Sequence, residues 1–368
     1  MAFFCEKGHI MVFLFVLNKF LLTNTEYKSK ILLYVRSNVL FILKRRIGIM
    51  KKIGVLTSGG DAPGMNAAVR AVVRAGLQKG MEVVGIYRGY NGLINGDIRP
   101  LDATSVSDII QRGGTVLYTA RCLEFKEKAG IEKAKQTCIE NGIDGIVVIG
   151  GDGSFRGAAD LSAAGIPCIG LPGTIDNDIA MTEYTIGYDT AMNTAMELID
   201  KLTDTASSHD RCSVVEVMGR RAGYIALNTG IACGATAIIT TEMPYNINEV
   251  AEKIANSRKA GKNHFIVVVS EGIGNSQKIA EEIQDTVHIE CRATILGHVQ
   301  RGGAPTLRDR VEASRMGYYA VELLEKGIGN RVVGLKHGDI IDVDIQDALN
   351  MTKEFPKDLY RIANEIAI

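Results

Sequence analysis

The stretch Ile53-Gly-Val-Leu-Thr-Ser-Gly-Gly-Asp-Ala-Pro-Gly-Met-Asn66 reads as a strand, a glycine turn and a proline-led helix start. Glycines at 59 and 60 let backbone N–H groups come close to phosphate oxygens, and a helix N-terminus adds positive potential. The stretch is neither a Walker A sequence nor a G-x-G-x-x-G fingerprint, and by itself it serves equally well as a tight strand-to-helix turn. Its pattern recurs down the chain. Short β-branched or apolar runs at 53–56, 83–87, 145–149, 167–171, 213–217, 237–239 and 265–269 end in glycine-rich turns and alternate with helical stretches. Fully apolar strands of this kind predict an α/β protein with a mainly parallel sheet covered by helices on both faces, and ligands at the carboxyl ends of the strands.

Three further groups fall on such turns. In Ile146-Val-Val-Ile-Gly-Gly-Asp-Gly-Ser154 a strand again runs into glycines, with Asp152 at the tip, where a carboxylate can hold Mg²⁺ directly or through water. Two such loops in one sheet favour a nucleotide site over two structural turns. In Cys168-Ile-Gly-Leu-Pro-Gly-Thr-Ile-Asp-Asn-Asp178, Asp and Asn suit a turn by bonding nearby backbone. The same two carboxylates and Thr174 also suit a base for a hydroxyl proton, with the second carboxylate near a metal. The fourth group is basic: Arg211, Arg220, Arg221, Arg292, His298 and Arg301. If 292–298 stays extended, Arg292 and His298 share a face. Converging guanidinium groups fit a phosphomonoester, although each arginine alone is more often a solvated charge. Glu271 either accepts from sugar hydroxyls or is an ordinary strand-end glutamate.

Composition bounds these readings. The 368 residues include 40 glycines, above the usual share of about 7 %, with 46 % hydrophobic and 23 % charged residues. That is globular composition with ample core, so collagen-like, coiled-coil and disordered readings fall away. Basic and acidic residues balance at 42 each, which gives no reason to expect a nucleic-acid or membrane partner. Seven scattered cysteines without a C-x-x-C pair suggest free thiols in a reducing cytoplasm. Residues 1–49 differ in kind, with eight basic residues against two acidic, six of the ten phenylalanines and two of the 40 glycines. Their longest apolar run, Ile10 to Leu17, is too short to span a bilayer, and no small-residue cleavage site follows it. Arg45-Arg46 ahead of Met50 fits a purine-rich ribosome-binding sequence, so this extension is expected to be a misplaced start, translated conceptually from upstream DNA, or else a disordered tail.

Together, LTSGGDAPGMNAA, RGGT-x5-AR, VVIGGDGS, PGTIDND, VVEVMGR and LGHVQRGG, in this order from Met50 almost to the C-terminus, closely resemble the ATP-dependent 6-phosphofructokinase family of bacterial type. The resemblance implies two lobes, each a mainly parallel sheet flanked by helices: an ATP-binding lobe at 50–187 plus 300–350, and a fructose 6-phosphate lobe at 188–299 plus 351–368. It implies ATP as co-substrate, bound at Gly60, Arg121, Cys122, Gly151, Asp152, Gly153 and Ser154, with Mg²⁺ at Asp152. Thr174, Asp176, Asp178, Met218, Gly219, Arg220 and Glu271 match sugar-phosphate positions, and Arg211, Arg292, His298 and Arg301 match those around the 6-phosphate. The first two of these four arrive from a neighbouring subunit of a homotetramer. Asp176 matches the proton acceptor, and Arg220, Arg121, Thr174 and Gly60 complete the catalytic set. Pyrophosphate-using relatives typically carry Asp at position 153 and Lys at position 173, so Gly153 and Gly173 favour ATP. A pyrophosphate-dependent enzyme and a non-catalytic sensor of nucleotide and sugar phosphate are the alternatives. Arg70, Arg74 and Lys262 match effector positions. Thr203, Thr236 and Ala260 replace charged residues of well-regulated members, which predicts weakened or altered control, and Tyr224 replaces a frequent aspartate.

Overall fold

A computed structural model of the chain describes residues 50–367, so the expectation for residues 1–49 lies outside the described residues. Eleven strands follow in chain order: β1 Lys52–Thr57, β2 Glu82–Ile86, β3 Ile98–Leu101, β4 Gly145–Gly150, β5 Cys168–Pro172, β6 Cys212–Val217, β7 Ala237–Ile239, β8 Phe265–Ser270, β9 Cys291–Ile295, β10 Arg331–Lys336 and β11 Asp339–Asp344. They form a seven-stranded sheet, ordered β11-β10-β5-β4-β1-β2-β3, and a four-stranded sheet, ordered β7-β8-β6-β9. The second is parallel throughout, and the first is parallel except for its two edge strands, β3 and β11.

Sequence dictates this layering directly. In β1 and β4 both alternating sets are apolar: Ile53, Val55, Val147 and Ile149 face one helical layer, while Leu56, Ile146 and Val148 face the other. A strand buried on both faces needs helices on both sides. The first core runs without a break into Val215, Val217, Ile266 and Val268 of the second sheet, whose far face packs Val214, Val267 and Val269 on Ile254, Ile279 and Ile283. Parallel pairing also brings the strand ends level, with Thr57 opposite Ile149, Gly150 opposite Pro172 and Val217 opposite Ser270.

The seven apolar runs expected as strands are β1, β2, β4, β5, β6, β7 and β8. One local expectation fails. The extended run from Arg292 stops at Ile295, because Leu296 turns to helical angles and Gly297 takes φ +60°, so Gly297–Arg301 becomes a 3-10 turn. Arg292 and His298 therefore do not share one strand face.

The chain enters the second sheet through the helix Tyr188–Ser207 and returns through the helix Leu307–Glu325. Asp309, fully buried, pins both. Its carboxylate accepts from Gly187 N at 2.6 Å and Thr190 N at 2.9 Å, and from the hydroxyls of Tyr184 and Thr190. Burial raises its carboxyl above the ordinary value, and these donors at a helix N-terminus pull the other way. Asp309→Ala would leave several buried donors unpaired, and we expect it to lower unfolding free energy by about 2–4 kcal/mol. Denaturant titration checks this, and an unchanged midpoint would refute it.

Candidate active site

The turn after β1 and the turn after β4 interlock. Ser58 N donates to Ile149 O at 2.9 Å, and a Cβ on Gly150 would lie 2.4 Å from both Ser58 O and Ser154 Oγ. No side chain larger than glycine fits at 150. Gly59 takes φ +87° beside Ser154, and a Cβ on Gly60 would lie 2.7 Å from Arg301 Nη1, which itself donates to Asp61 O at 3.0 Å. Gly151 precedes the helix Asp152–Ala163, whose N-terminus carries Asp152, Gly153 and the buried Ser154. A Cβ on Gly153 would meet nothing within 4 Å. Gly173 is different, since a Cβ there would sit 3.0 Å from Ile149 Cγ2 and Met65 Cε, against the core. Local packing thus favours glycine at 173 independently of any ligand, because a larger residue would have to displace these side-chain ends by a few tenths of an ångström. The loop carrying Arg121 and Cys122 is tied to the first turn by Thr119 Oγ1, which donates to Gly59 O at 2.7 Å.

Facing these turns is the loop after β5. Thr174 Oγ1 accepts from Asp176 N at 3.2 Å, and Asn177 takes φ +51°. Asp176 is 3 % exposed and its Oδ1 has no hydrogen-bond partner in the protein. Burial and the charge of Asp178 push its carboxyl up to about 6, against the opposing pull of Arg301 and Arg220. Asp152 is raised by the protein mass that thins its water shell and by Asp178, while Arg156 and Arg220 oppose this. After β6, Arg220 adopts φ +59°, and its N donates to Glu271 Oε1 at 2.5 Å. Gly219 takes φ +147°, with Ala222 O only 2.4 Å from where a Cβ would stand. Asp152, Thr174, Asp176, Asp178, Gly219, Arg220, Glu271 and Arg301 thus gather where the two sheets meet.

Other residues enter this site without having been expected. Gln300, fully buried, accepts through Oε1 from Met218 N at 2.8 Å, while its Nε2 has no protein partner. It lies between His298 and Arg301, and that position was the only signal. Lys353 Nζ donates to Asn177 O at 2.8 Å and Thr182 O at 2.9 Å, and stands 5.2 Å from the centre of the Tyr224 ring. Burial lowers its ammonium to about 8, opposed by Asp178 and Glu183. Asp178, Arg220, Arg221, Tyr224, Glu242 and Lys353 line a cleft of about 590 Å³. Another cleft of about 550 Å³, at Leu77, Met81, Val83 and Pro100, contains none of the catalytic candidates.

Some expected residues stay apart. Arg211 immediately precedes β6 and Arg292 lies near the start of β9, at the opposite rim of the second sheet from Arg220. Both bind Glu290, Arg211 through Nε at 2.7 Å and Arg292 through Nη2 at 2.7 Å. His298 and Arg121 are exposed, and neither has a hydrogen bond or ion pair to Asp152, Asp176 or Arg220. Arg70 and Arg74 lie on the helix Met65–Gln78, whereas Lys262 lies between the helix Ile247–Lys259 and β8 of the second sheet. Among the described residues no three His, Cys, Asp or Glu side chains form a metal cage. Asp152 and Asp178 do raise electrostatic strain that a divalent cation would relieve, and Mg²⁺ commonly takes one or two carboxylates together with phosphate oxygens.

The sequence model of the family described as Phosphofructokinase matches residues 52–324. The ATP-dependent 6-phosphofructokinase of Clostridium botulinum (strain Loch Maree / Type A3) is 59 % identical over 314 residues, covering 85 % of this chain and 98 % of the relative. The ATP-dependent 6-phosphofructokinase 1 of Clostridium perfringens (strain 13 / Type A) is 56 % identical over 317 residues, 86 % of this chain and 99 % of the relative. Among solved structures, phosphofructokinase from Saccharomyces cerevisiae superposes with a TM-score of 0.78 at 34 % identity. That match covers 86 % of this chain, and the chain spans 48 % of the yeast one. Since these matches take in both sheets and each of the interlocked turns, the chain belongs to the phosphofructokinase family.

Proposed function

We propose that this chain transfers the γ-phosphoryl group of ATP to the C1 hydroxyl of fructose 6-phosphate, giving fructose 1,6-bisphosphate and ADP, the committed step of glycolysis. The observation that carries the proposal is Asp176: a buried carboxylate with an unpartnered oxygen, facing two glycine turns suited to phosphate and flanked by arginine charges. A carboxyl near 6 is largely ionised at neutral pH and still basic enough to take a proton from an alcohol.

Phosphoryl transfer depends mainly on positioning and charge stabilisation. In this reading Gly60, Gly151, Gly153 and Ser154 hold the triphosphate on small surfaces, and Arg121 swings from its exposed loop onto the migrating group. Arg220 bridges from the sugar side. Asp176 accepts the C1 proton while Thr174 steadies its backbone. Met218, Gly219 and Glu271 hold the sugar, and His298 and Arg301 its 6-phosphate. Asp152, with Asp178 near it, would hold Mg²⁺, which when bound supplies positive charge to the phosphate oxygens. The ATP lobe then comprises 50–187 and 300–350, and the sugar lobe 188–299 and 351–368.

Self-association to a homotetramer fits two observations. Arg211 and Arg292 stand a full strand length from Arg220, so a single chain leaves the 6-phosphate short of two cations. Ile295, Val299, Leu307 and Val311 are exposed, with Leu307 at 80 %, which suits a covered surface. The open space at Gly153 favours a nucleotide over pyrophosphate, and the retained proton acceptor speaks against a sensor. Thr203, Thr236 and Ala260 support weakened or altered effector control through Arg70, Arg74 and Lys262. No helix among the described residues is long and apolar enough to cross a membrane, and the cytoplasmic reading stands on the free thiols.

Measurements of activity and of stability test this. In a coupled assay with fructose 6-phosphate, ATP should support turnover and pyrophosphate should not; the reverse preference would overturn the donor. Asp176→Asn should lower kcat by about 10²–10⁴ with little change in sugar-phosphate binding. In the native enzyme kcat should fall about tenfold per pH unit below 6 as Asp176 protonates. The same raised carboxyl disfavours folding once ionised, so its stability cost grows as pH rises from about 4 to 6, and the Asn variant should melt a few degrees higher at pH 7. Finally, Lys353→Met should lower kcat about tenfold by releasing the Asn177 and Thr182 carbonyls, with partial recovery in Lys353→Arg. Full activity in the Met variant would remove Lys353 from the account.

A further inference from the structure

Two cysteines that the reaction does not use face one another across the second sheet. Cys212 opens β6, Cys291 opens β9, and the two are Cα partners in the parallel ladder. Neighbouring strands lie about 4.8 Å apart, inside the range of roughly 4.4–6.8 Å that a disulfide bridges. Partners in register project to the same face, and here that face is the core beneath Ile279 and Ile283, where Cys212 is fully buried and Cys291 is half-buried. Cys291 Sγ donates to Ile289 O at 3.3 Å. The neighbouring Cys212 thiol holds Cys291 below the usual thiol range, while Cys291 and burial together push Cys212 up. Cys138 and Cys168, the other neighbouring thiols, are both buried and pushed up by desolvation, so neither presents a thiolate to a reagent.

Position gives the pair its consequence. Arg211 is bonded to Cys212 and Arg292 to Cys291, and Glu290, which holds both guanidinium groups, accepts from Cys212 N at 3.0 Å through its backbone oxygen. Three successive rungs therefore carry the two thiols on one face of the sheet and the two arginines with Glu290 on the other. A disulfide draws the two Cβ atoms to about 3.8 Å and fixes their dihedral, which moves the backbone on which both arginines stand.

We propose that Cys212 and Cys291 are a disulfide-forming pair whose oxidation disables the Arg211–Arg292 anion fork. This rests on the reading above of those arginines as ligands of the sugar 6-phosphate. The oxidant is a low-molecular-weight disulfide. The Cys291 thiolate attacks one of its sulfurs, forming a mixed disulfide and releasing one small thiol, which takes up the proton that Cys291 gave to solvent. Cys212 then loses its proton to solvent and attacks the Cys291 sulfur, releasing the second small thiol. Two protein thiols are oxidised and one small disulfide is reduced to two thiols.

The test uses the full chain, first reduced with dithiothreitol and then treated with oxidised glutathione without denaturant. Peptide mass spectrometry should find 212 joined to 291, with two fewer free thiols per chain. KM for fructose 6-phosphate should rise about tenfold or more while kcat at saturating sugar phosphate holds, and dithiothreitol should reverse the change. Cys291→Ser and Cys212→Ala should each keep the reduced KM under the same treatment. Glutathione left on Cys291 alone, or a 212–291 link with unchanged KM, would overturn the proposal. A failure of the underlying functional reading shows elsewhere, as a reduced enzyme that does not phosphorylate fructose 6-phosphate at all.

Discussion

Everything that faces the cleft depends on one buried carboxylate at a helix terminus. Asp309 takes the backbone N–H groups of Gly187 and Thr190, which fixes where the chain leaves the first sheet for the second. Because Asp309 stands in the helix that makes the return journey, a single group sets both crossings. Its position also bounds the loop between β5 and residue 187. That loop is gripped along its length: Leu335 N donates to Thr182 Oγ1 at 2.9 Å, Glu183 N donates to Leu335 O at 2.9 Å, and Lys353 holds the carbonyls of Asn177 and Thr182. Asp176 can remain buried and unpartnered only because the segment around it has no freedom to carry it into water.

Such a group costs stability, and the surroundings show how the cost is contained. Asp178 lies on the same loop and worsens it, while Arg220 and Arg301 arrive from the far sheet and from the turn after β9 to offset part of it. These cations are themselves held in place. Arg220 occupies a left-handed backbone position secured by Glu271, and Arg301 is bonded to Asp61 O over Gly60. Charge, strain and packing are concentrated at the same few turns, as expected where a fold is adapted to chemistry rather than to stability.

Those turns were legible because their requirements are backbone requirements. Gly150 has no room for a Cβ and Gly59 needs a positive φ, so the residue type carries the geometry. The central strands were legible because burial on both faces leaves an unbroken apolar run. β3, β9, β10 and β11 were not. β3 contains Pro100, β9 is partly exposed along its length, and β11, Asp339–Asp344, mixes three aspartates with three apolar residues without strict alternation and is nowhere fully buried. Lys353 was invisible for another reason. It sits in an irregular segment far along the chain from Asn177, and nothing in its neighbours announces two carbonyl partners. Gly173 misleads in the other direction, since a glycine in a site motif is here also favoured by close packing against Ile149 and Met65.

The separation of the arginines follows from strand direction rather than from any local irregularity. A parallel strand delivers its carboxyl end to the cleft, so β6 brings Val217 and Arg220 there and necessarily leaves Arg211 at the other rim. β9 runs parallel to it and does the same to Arg292, while the turn that follows carries Gln300 and Arg301 inward. No rearrangement within one chain brings the two sets together without unpairing the ladder between Cys212 and Ile295. Arg211 and Arg292 are instead held at the outer rim by Glu290, the carboxylate that a sugar phosphate would replace if the proposed role of these arginines in a neighbouring subunit holds. The strand direction that gathers Arg220 and Arg301 at one end of the sheet thereby presents Arg211 and Arg292 outward at the other.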